Sequence, residues 1–345
     1  MTQAFGTILK AAHDLFIKGL ADQTVRNHVI LSMLKKKGRI KYGQDGTQMN
    51  WKVRYKRHQL ETYQDGKVVT FKRIDPYLEA TLPWRAYDMN TVVTKQERLA
   101  TRGKSGIFKL YGQKSKELKT DFSRELSGKF FGDGSDGENF HGAEAIFSGT
   151  YTSASKAGTA NGTYAGLNQT LGNYGGSSTA DPEYDFWTPA LVAWNSSAWN
   201  ASASTFYATC LEAVRYGINR AMRKNATQER IDVVDLNLDM FEQFQNALEA
   251  KETIYVTKGN KGLLGALGFT TMYFDGVEVT WEEDVPANTG YGFNFDYIEL
   301  DCMTDQLIDG YVEYDIDSKG WKIGADLFGN FKFESPQHQF KLYAA

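Results

Sequence analysis

Cysteine is nearly missing from this sequence: Cys210 and Cys302 are the only two in 345 residues. Two distant thiols build neither a disulfide scaffold nor a Cys-based metal site, and lone cysteines of this kind are mostly small buried hydrophobes. Histidine is scarce too. The five (His13, His28, His58, His141 and His338) show no H-E-x-x-H or other ligand spacing, and no G-x-S-x-G elbow occurs. Zinc hydrolase and serine esterase chemistry are not signalled, and no metal and no cofactor is expected. No apolar run reaches the ~20 residues of a membrane span. The start, Met1-Thr2-Gln3-Ala4-Phe5, lacks the charged head and apolar stretch of a signal peptide. The expectation is a protein of cytoplasmic origin, with no membrane contact.

Nucleotide signatures are also incomplete. Gly103-Lys104-Ser105 lacks the glycine that a phosphate loop has five positions earlier, where this chain has Arg98, so a helix start is the better reading. Gly262, Gly265 and Gly268 are spaced by threes rather than as G-x-G-x-x-G, and they serve turns. Carboxylate pairs such as Glu282-Glu283 could do acid-base work in a cleft. Among so many acidic neighbours they read instead as a solvated or interfacial face. No catalytic residue is assigned, and the chain is not read as an enzyme.

What is present is a folded composition, 41% hydrophobic and 23% charged, unusually rich in aromatics with 21 Phe, 19 Tyr and 7 Trp. Aromatic side chains dominate buried area in cores and in subunit interfaces alike. The net charge of -3 conceals a segregation. Lys35 to Arg73 holds twelve basic residues against Asp45, Glu61 and Asp65, whereas Asp275 to Asp317 holds thirteen acidic residues and no Lys or Arg. One end of the chain is built to attract the other. Within a subunit or between neighbours, such opposite fields steer encounters and set register.

Periodicity orders the rest. Ile8, Ala12, Leu15 and Phe16 mark a short helix before Gly19, and Asp22 caps a second through Leu34 with Val25, Val29 and Met33 as its stripe. From Gly38 to Arg73 a basic hairpin follows, in which Trp51, Val53 and Tyr55 alternate with Lys52, Arg54 and Lys56. Its return strand is Val68-Val69-Thr70-Phe71, after the turn Gln64-Asp65-Gly66. Strand sequence runs from Tyr77 to Thr94, interrupted at Pro83. The longest helix is expected from Ser105 to Phe131, with Phe108, Tyr111, Leu118, Phe122, Leu126 and Phe130 on its packed face. Gly132 to Gly137 ends it. A tract rich in Gly, Ser, Thr, Ala, Asn and Tyr from Ser148 to Thr179 reads as long ordered loops, followed by Phe186-Trp187, Trp194 and Trp199. A helix over Ser204 to Arg223, a buried strand over Ile231 to Leu236, a helix capped by Asn237 to about Glu249, and short closing strands complete an α+β chain without internal repeats.

Two passages resemble the major capsid proteins of tailed phages, which share the Hong Kong 97-like fold. Asn161-Gly162-Thr163-Tyr164-Ala165-Gly166-Leu167 with Phe186-Trp187 and Trp194-Asn195 is similar to the "TYGGI... W" stretch that opens the family's axial domain. Leu267-Gly268-Phe269, Phe274 to Val279, Asp284-Val285-Pro286-Ala287 and Tyr297-Ile298-Glu299-Leu300 resemble its closing strand series, and Gly329-Asn330-Phe331-Lys332-Phe333 with Pro336 a late strand.

The resemblance implies an N-terminal arm and helix over 1–35, an extended loop over 36–75, a peripheral domain with a spine helix over 76–137, an axial domain over 138–266, and closing strands shared by both domains over 267–345. It also implies a subunit that assembles with itself into hexameric and pentameric capsomers of an icosahedral head around double-stranded DNA, located in the virion after assembly in the host cytoplasm. A separate scaffolding protein, a portal protein and non-specific DNA contact would be its further partners; Met1 starts close to the arm, so the scaffold is expected as a separate protein or one already removed. The basic loop residues Trp51, Lys52, Arg54, Lys56, Arg57, Lys72 and Arg73 are then expected to meet an acidic face of Glu282, Glu283, Asp284, Asp305 and Asp309 on the next subunit. Three alternatives stay open: an encapsulin-like compartment shell, a nucleic-acid binder using the basic hairpin with Trp51, Tyr55 and Tyr63, and a glycan binder using exposed aromatics of residues 184 to 199.

Overall fold

The computed structural model describes residues 28–58, 62, 64–66, 73–100, 104–151, 154–199, 205–222, 230–249, 270–317 and 320–345. The expected helix at Ile8 to Phe16, the Asp22 cap, the strand Val68 to Phe71, Lys72 and the passage Leu267 to Phe269 lie outside them.

The elements in chain order are α1 (Val29–Lys37), β1 (Ile40–Lys41), β2 (Gln48–Arg54), β3 (Tyr77–Pro83), β4 (Arg85–Val93), α2 (Lys95–Ala100) and α3 (Lys104–Phe130). There follow β5 (Gly149–Thr150), β6 (Thr159–Ala160), β7 (Thr163–Tyr164), β8 (Leu167–Asn168), α4 (Pro182–Asp185), β9 (Ala190–Ala193), α5 (Phe206–Met222), β10 (Val233–Leu236) and α6 (Leu238–Glu249). The closing strands are β11 (Met272–Phe274), β12 (Val277–Trp281), β13 (Gly290–Phe293), β14 (Ile298–Cys302), β15 (Asp309–Asp315), β16 (Gly320–Phe333) and β17 (Phe340–Tyr343).

Helix α1 runs three residues past the expected Leu34, because Lys35, Lys36 and Lys37 suit the negative end of the helix dipole. Gly38 stops it in the left-handed region (φ 67°), with Arg39 N–H bonded back to Leu34 O at 2.8 Å. The 27-residue α3 starts at Lys104 and is about 40 Å long at the usual rise. Its Leu118, Phe122, Leu126 and Phe130 are buried at four-residue steps, so the expected face is the packed one. Among the described residues β2 pairs antiparallel with β3, from Gln48 opposite Pro83 to Arg54 opposite Tyr77. The Gly- and Ser-rich tract is not loop alone: β5 with β6 and β7 with β8 form two-residue ladders inside it.

Two sheets organise the chain. The first places β16 between β15 and β4 and joins β14 and β1. The second runs in the order β11-β12-β10-β13-β17-β9. Strand alternation gives this second sheet two apolar faces. Val234, Leu236, Val279, Phe340 and Leu342 pack under α5 and α6, while Val233, Tyr291, Phe293, Leu191 and Tyr343 face a larger core shared with α1, α3, β14 and β16. Both cysteines are buried.

Candidate functional site

Strand β2 carries the basic residues on its outer side. Met49, Trp51 and Val53 turn inward, and Asn50, Lys52 and Arg54 are exposed between them. Lys52 stands opposite Glu79 in the ladder, and beyond the strand Lys56 Nζ lies 5.0 Å from the Tyr55 ring centre. Arg57 and Arg73 are exposed. Among the described residues no ion pair within 4.0 Å engages Lys52, Arg54, Lys56, Arg57 or Arg73, and Glu79 is the carboxylate that faces Lys52 across the ladder. Trp51 is only half-buried and packs inward, its ring 6.5 Å from that of Tyr164.

The start of the basic segment behaves differently. Lys37 Nζ pairs with Asp232 at 2.7 Å and Asp296 at 3.0 Å, and Arg39 and Lys41 reach Glu299 at 2.8 and 2.7 Å. Lys332 contacts the same Glu299 carboxylate and lies 3.6 Å from Asp301. Burial raises the Glu299 carboxyl, but bonds and charge from Lys332, Lys41 and Arg39 outweigh it and take it down to about 2. Here the two ends of the chain attract each other within one molecule.

The predicted acidic face is divided. Glu283, Asp284, Asp305 and Asp309 are exposed. Glu282 is not, and its expected place on that face is corrected: the side chain is buried and its Oε1 accepts the Val29 N–H at 2.5 Å. It follows the last residue of β12, which turns it inward beside Asp235 of β10.

Pairing supplies acidic partners that linear order hides. Asp326 of β16 sits directly opposite both Asp309 of β15 and Asp88 of β4, three aspartates in a row across three strands. Tyr311 donates to Asp88 Oδ1 at 2.9 Å and Asn90 to Oδ2 at 2.6 Å. Burial, then the hydrogen bond and charge of Asp88, then Asp309, push the Asp326 carboxyl up to about 7.

Aromatic exposure fails the glycan reading. Phe186, Trp187, Trp194 and Trp199 are all buried, and three indole N–H groups are spent internally, on Tyr164 O, Asn288 O and Ala193 O. A cleft of about 630 Å³ opens between β3, the Asp133 to Ser135 turn and the β7 region, lined in part by His141, Glu144 and Tyr151. Among the described residues no group of three or more His, Cys, Asp or Glu is arranged to hold a metal, and no helix is long and apolar enough to cross a membrane.

The geometry defines an α+β chain with a long amphipathic helix and a two-stranded ribbon, packed on the core by its inner side and basic on its outer one. No protein-family profile matches the chain, and no curated protein matches it in sequence. Known structures do match. The capsid of the native GTA particle aligns with a TM-score of 0.55 at 11% identity, covering 90% of each chain. The capsid of cyanophage A-1(L) aligns at 0.53 and 15% identity over 90% of this chain and 92% of that one. The mature capsid of bacteriophage PhiM1 gives 0.52 and 11% identity over 90% and 86%. The chain has the α+β fold of tailed-phage and GTA capsid subunits, as the resemblance in its sequence implied.

Proposed function

We propose that the chain is the major capsid protein of a tailed bacteriophage, a subunit that self-assembles through hexameric and pentameric capsomers into an icosahedral head around double-stranded DNA. The observation that carries this reading is the end-to-end likeness in fold: about nine tenths of this chain aligns with about nine tenths of capsid subunits from several particles. Fold alone does not fix function. The exposed charges add an independent reason. An exposed row of cations and a row of like-charged aspartates are complementary in sign, and the aspartates are destabilising to one another when left alone.

In this reading 36–75 is the extended loop, 76–137 the peripheral domain built on α3, 138–266 the axial domain, and 1–35 the arm. Lys52, Arg54, Lys56, Arg57 and Arg73, with Lys72, meet Glu283, Asp284, Asp305 and Asp309 of a neighbour, and Asp88 and Asp326 extend that acceptor. Trp51 supports the strand from inside. The role is structural and involves no catalytic step. A separate scaffold, a portal and weak non-specific contact with packaged DNA complete the partners.

The test is the triple variant Lys52→Glu, Arg54→Glu, Lys56→Glu, followed by light scattering and negative-stain microscopy beside the unaltered protein. The unaltered chain is expected to give rings or shells, and the variant to stay small while keeping its circular dichroism. Shells from the variant would remove the role given to these charges. An unaltered chain that stays monomeric or dimeric across salt and concentration would overturn the capsid reading itself, and particles filled with protein in place of DNA would favour a compartment shell.

A further inference from the structure

We propose that Asp235 and Glu282 form a proton-dependent latch on the start of α1, closed when the two carboxyls share a proton and released when both are ionised. The latch belongs to the single subunit and does not rest on the capsid reading.

The geometry is specific. Asp235 pairs with Thr280 in the β10-β12 ladder, so Glu282, two residues on, lies on the same side of the sheet as Asp235. Both carboxyls are buried, Asp235 completely. Glu282 Oε1 accepts the first amide of α1, Val29 N–H, at 2.5 Å. Neither Asp235 oxygen nor Glu282 Oε2 receives a hydrogen bond from any described donor. Each carboxyl faces the other, and two carboxyls can bond only when one of them holds a proton. Ionised together in a dry interior, they would repel, and only the Val29 amide on Glu282 would offset the charge.

Beyond the Val29 amide, which partly offsets a charge on Glu282, the surrounding described groups bring no rescue. From α1 come the Val29 amide and His28, whose ring packs edge-on to Phe130 at 5.7 Å. From β13 comes Tyr291, opposite Asp235, but its hydroxyl donates to Glu144. The Lys341 ammonium from β17 is engaged by that Glu144 at 2.6 Å. Asp284, beyond β12, adds negative charge toward Glu282. No ion pair among the described residues reaches Asp235 or Glu282. Burial first, then the Glu282 charge, raises Asp235 well above the carboxylate range, and burial lifts Glu282 to about 7.

The sign follows from linkage. Between the ordinary glutamate value of 4.5 and about 7 the closed latch holds a proton that the released side chain has lost. The pair titrates as a unit and holds at least one proton that the released side chains have lost, so each pH unit in that window lowers the ratio of closed to released at least about tenfold. The far end of α1 stays tied by Lys37 to Asp232 and Asp296, so release frees the first turn of α1 alone.

Hydrogen exchange of the full-length chain, corrected for intrinsic rates, tests this between pH 5 and 7. Protection of the Val29 to Ser32 amides is expected to fall at least about a hundredfold across that range, while α3 amides do not change. Asp235→Asn should flatten the profile, because an amide N–H then donates permanently to Glu282. A flat profile in the unaltered chain, or an unchanged slope in Asp235→Asn, would overturn the latch. Glu282→Gln is the second variant, for the case that Asp235→Asn does not fold, and is likewise expected to be flat. Infrared spectra of Asp326→Asn, which lacks the other carboxyl raised to about 7, must also lose a protonated carboxyl band as pH rises through 7; absence of that band overturns the proposal with both latch residues intact.

Discussion

Phe340 of β17 is held between two residues that have no side chain. A Cβ on Gly217 of α5 would lie 2.6 Å from its ring, and one on Gly292 of β13 would overlap the ring still more deeply. The ring is fully buried, so it has no room to retreat. Both glycines mark close approach, one of a helix and one of a strand. Overpacking of this kind costs about 1–3 kcal/mol, but alanine in a helix regains about 1 kcal/mol over glycine. Gly292→Ala is therefore expected to lower the urea midpoint clearly more than Gly217→Ala, with an unchanged denaturant slope. Equal losses would mean that the helix moves as little as the strand does.

At the scale of the element, β16 carries an electrostatic conflict in its ladder. Asp326 faces an aspartate on each side, and cross-strand like charges are destabilising. Because its carboxyl is raised to about 7, the folded sheet holds a proton there that an unfolded chain loses near 3.8. Stability at this site is full below the unfolded value and is lost as pH rises through about 7. Asp326→Asn should thus leave the melting temperature nearly unchanged at pH 4 and raise it at pH 8. The gain is on the order of 1 kcal/mol or less, since the site is partly solvated. A variant equally altered at both pH values would show that the effect is packing rather than charge.

At the scale of the whole molecule, Glu299 joins distant parts of the chain. Its buried carboxylate accepts Arg39 and Lys41 from the start of the basic segment and Lys332 from β16. Without that carboxylate Lys332 keeps Asp301 and Glu334, Arg39 keeps Glu334 and Lys41 is half-exposed, so the cost stays below that of a stranded buried charge, at about 1–3 kcal/mol. Glu299→Gln is expected to show a loss of that size in urea at pH 7. The lowered carboxyl contributes above the ordinary value of 4.5, and its contribution disappears as pH falls through about 2. The difference between the two proteins should therefore shrink in acid. A constant difference down to pH 2 would argue that the pairing is not what Glu299 supplies.

Local periodicity already fixed much of this molecule. The stripe Leu118, Phe122, Leu126 and Phe130 defines the packed face of α3, Asn237 caps α6 through the Asp239 amide, and the apolar run ending at Leu236 is a buried strand, because burial repeats with the pitch of each element. Asp235, an acid inside that run, was a visible irregularity of the sequence. Charge segregation was legible as well, but not its division. Lys37, Arg39 and Lys41 are neutralised inside the subunit, while Lys52 and Arg54 point outward. The sequence by itself determined which residues lie on one face of each helix and strand. Only the tertiary structure decided which faces meet: that β10 lies between β12 and β13, that Asp326 stands between two aspartates, and that Glu282 turns from the acidic surface to the start of α1. The physical reason is that side-chain direction follows from local backbone pitch, whereas the partner of a charge depends on strand order, which is set by contacts between residues far apart in the chain.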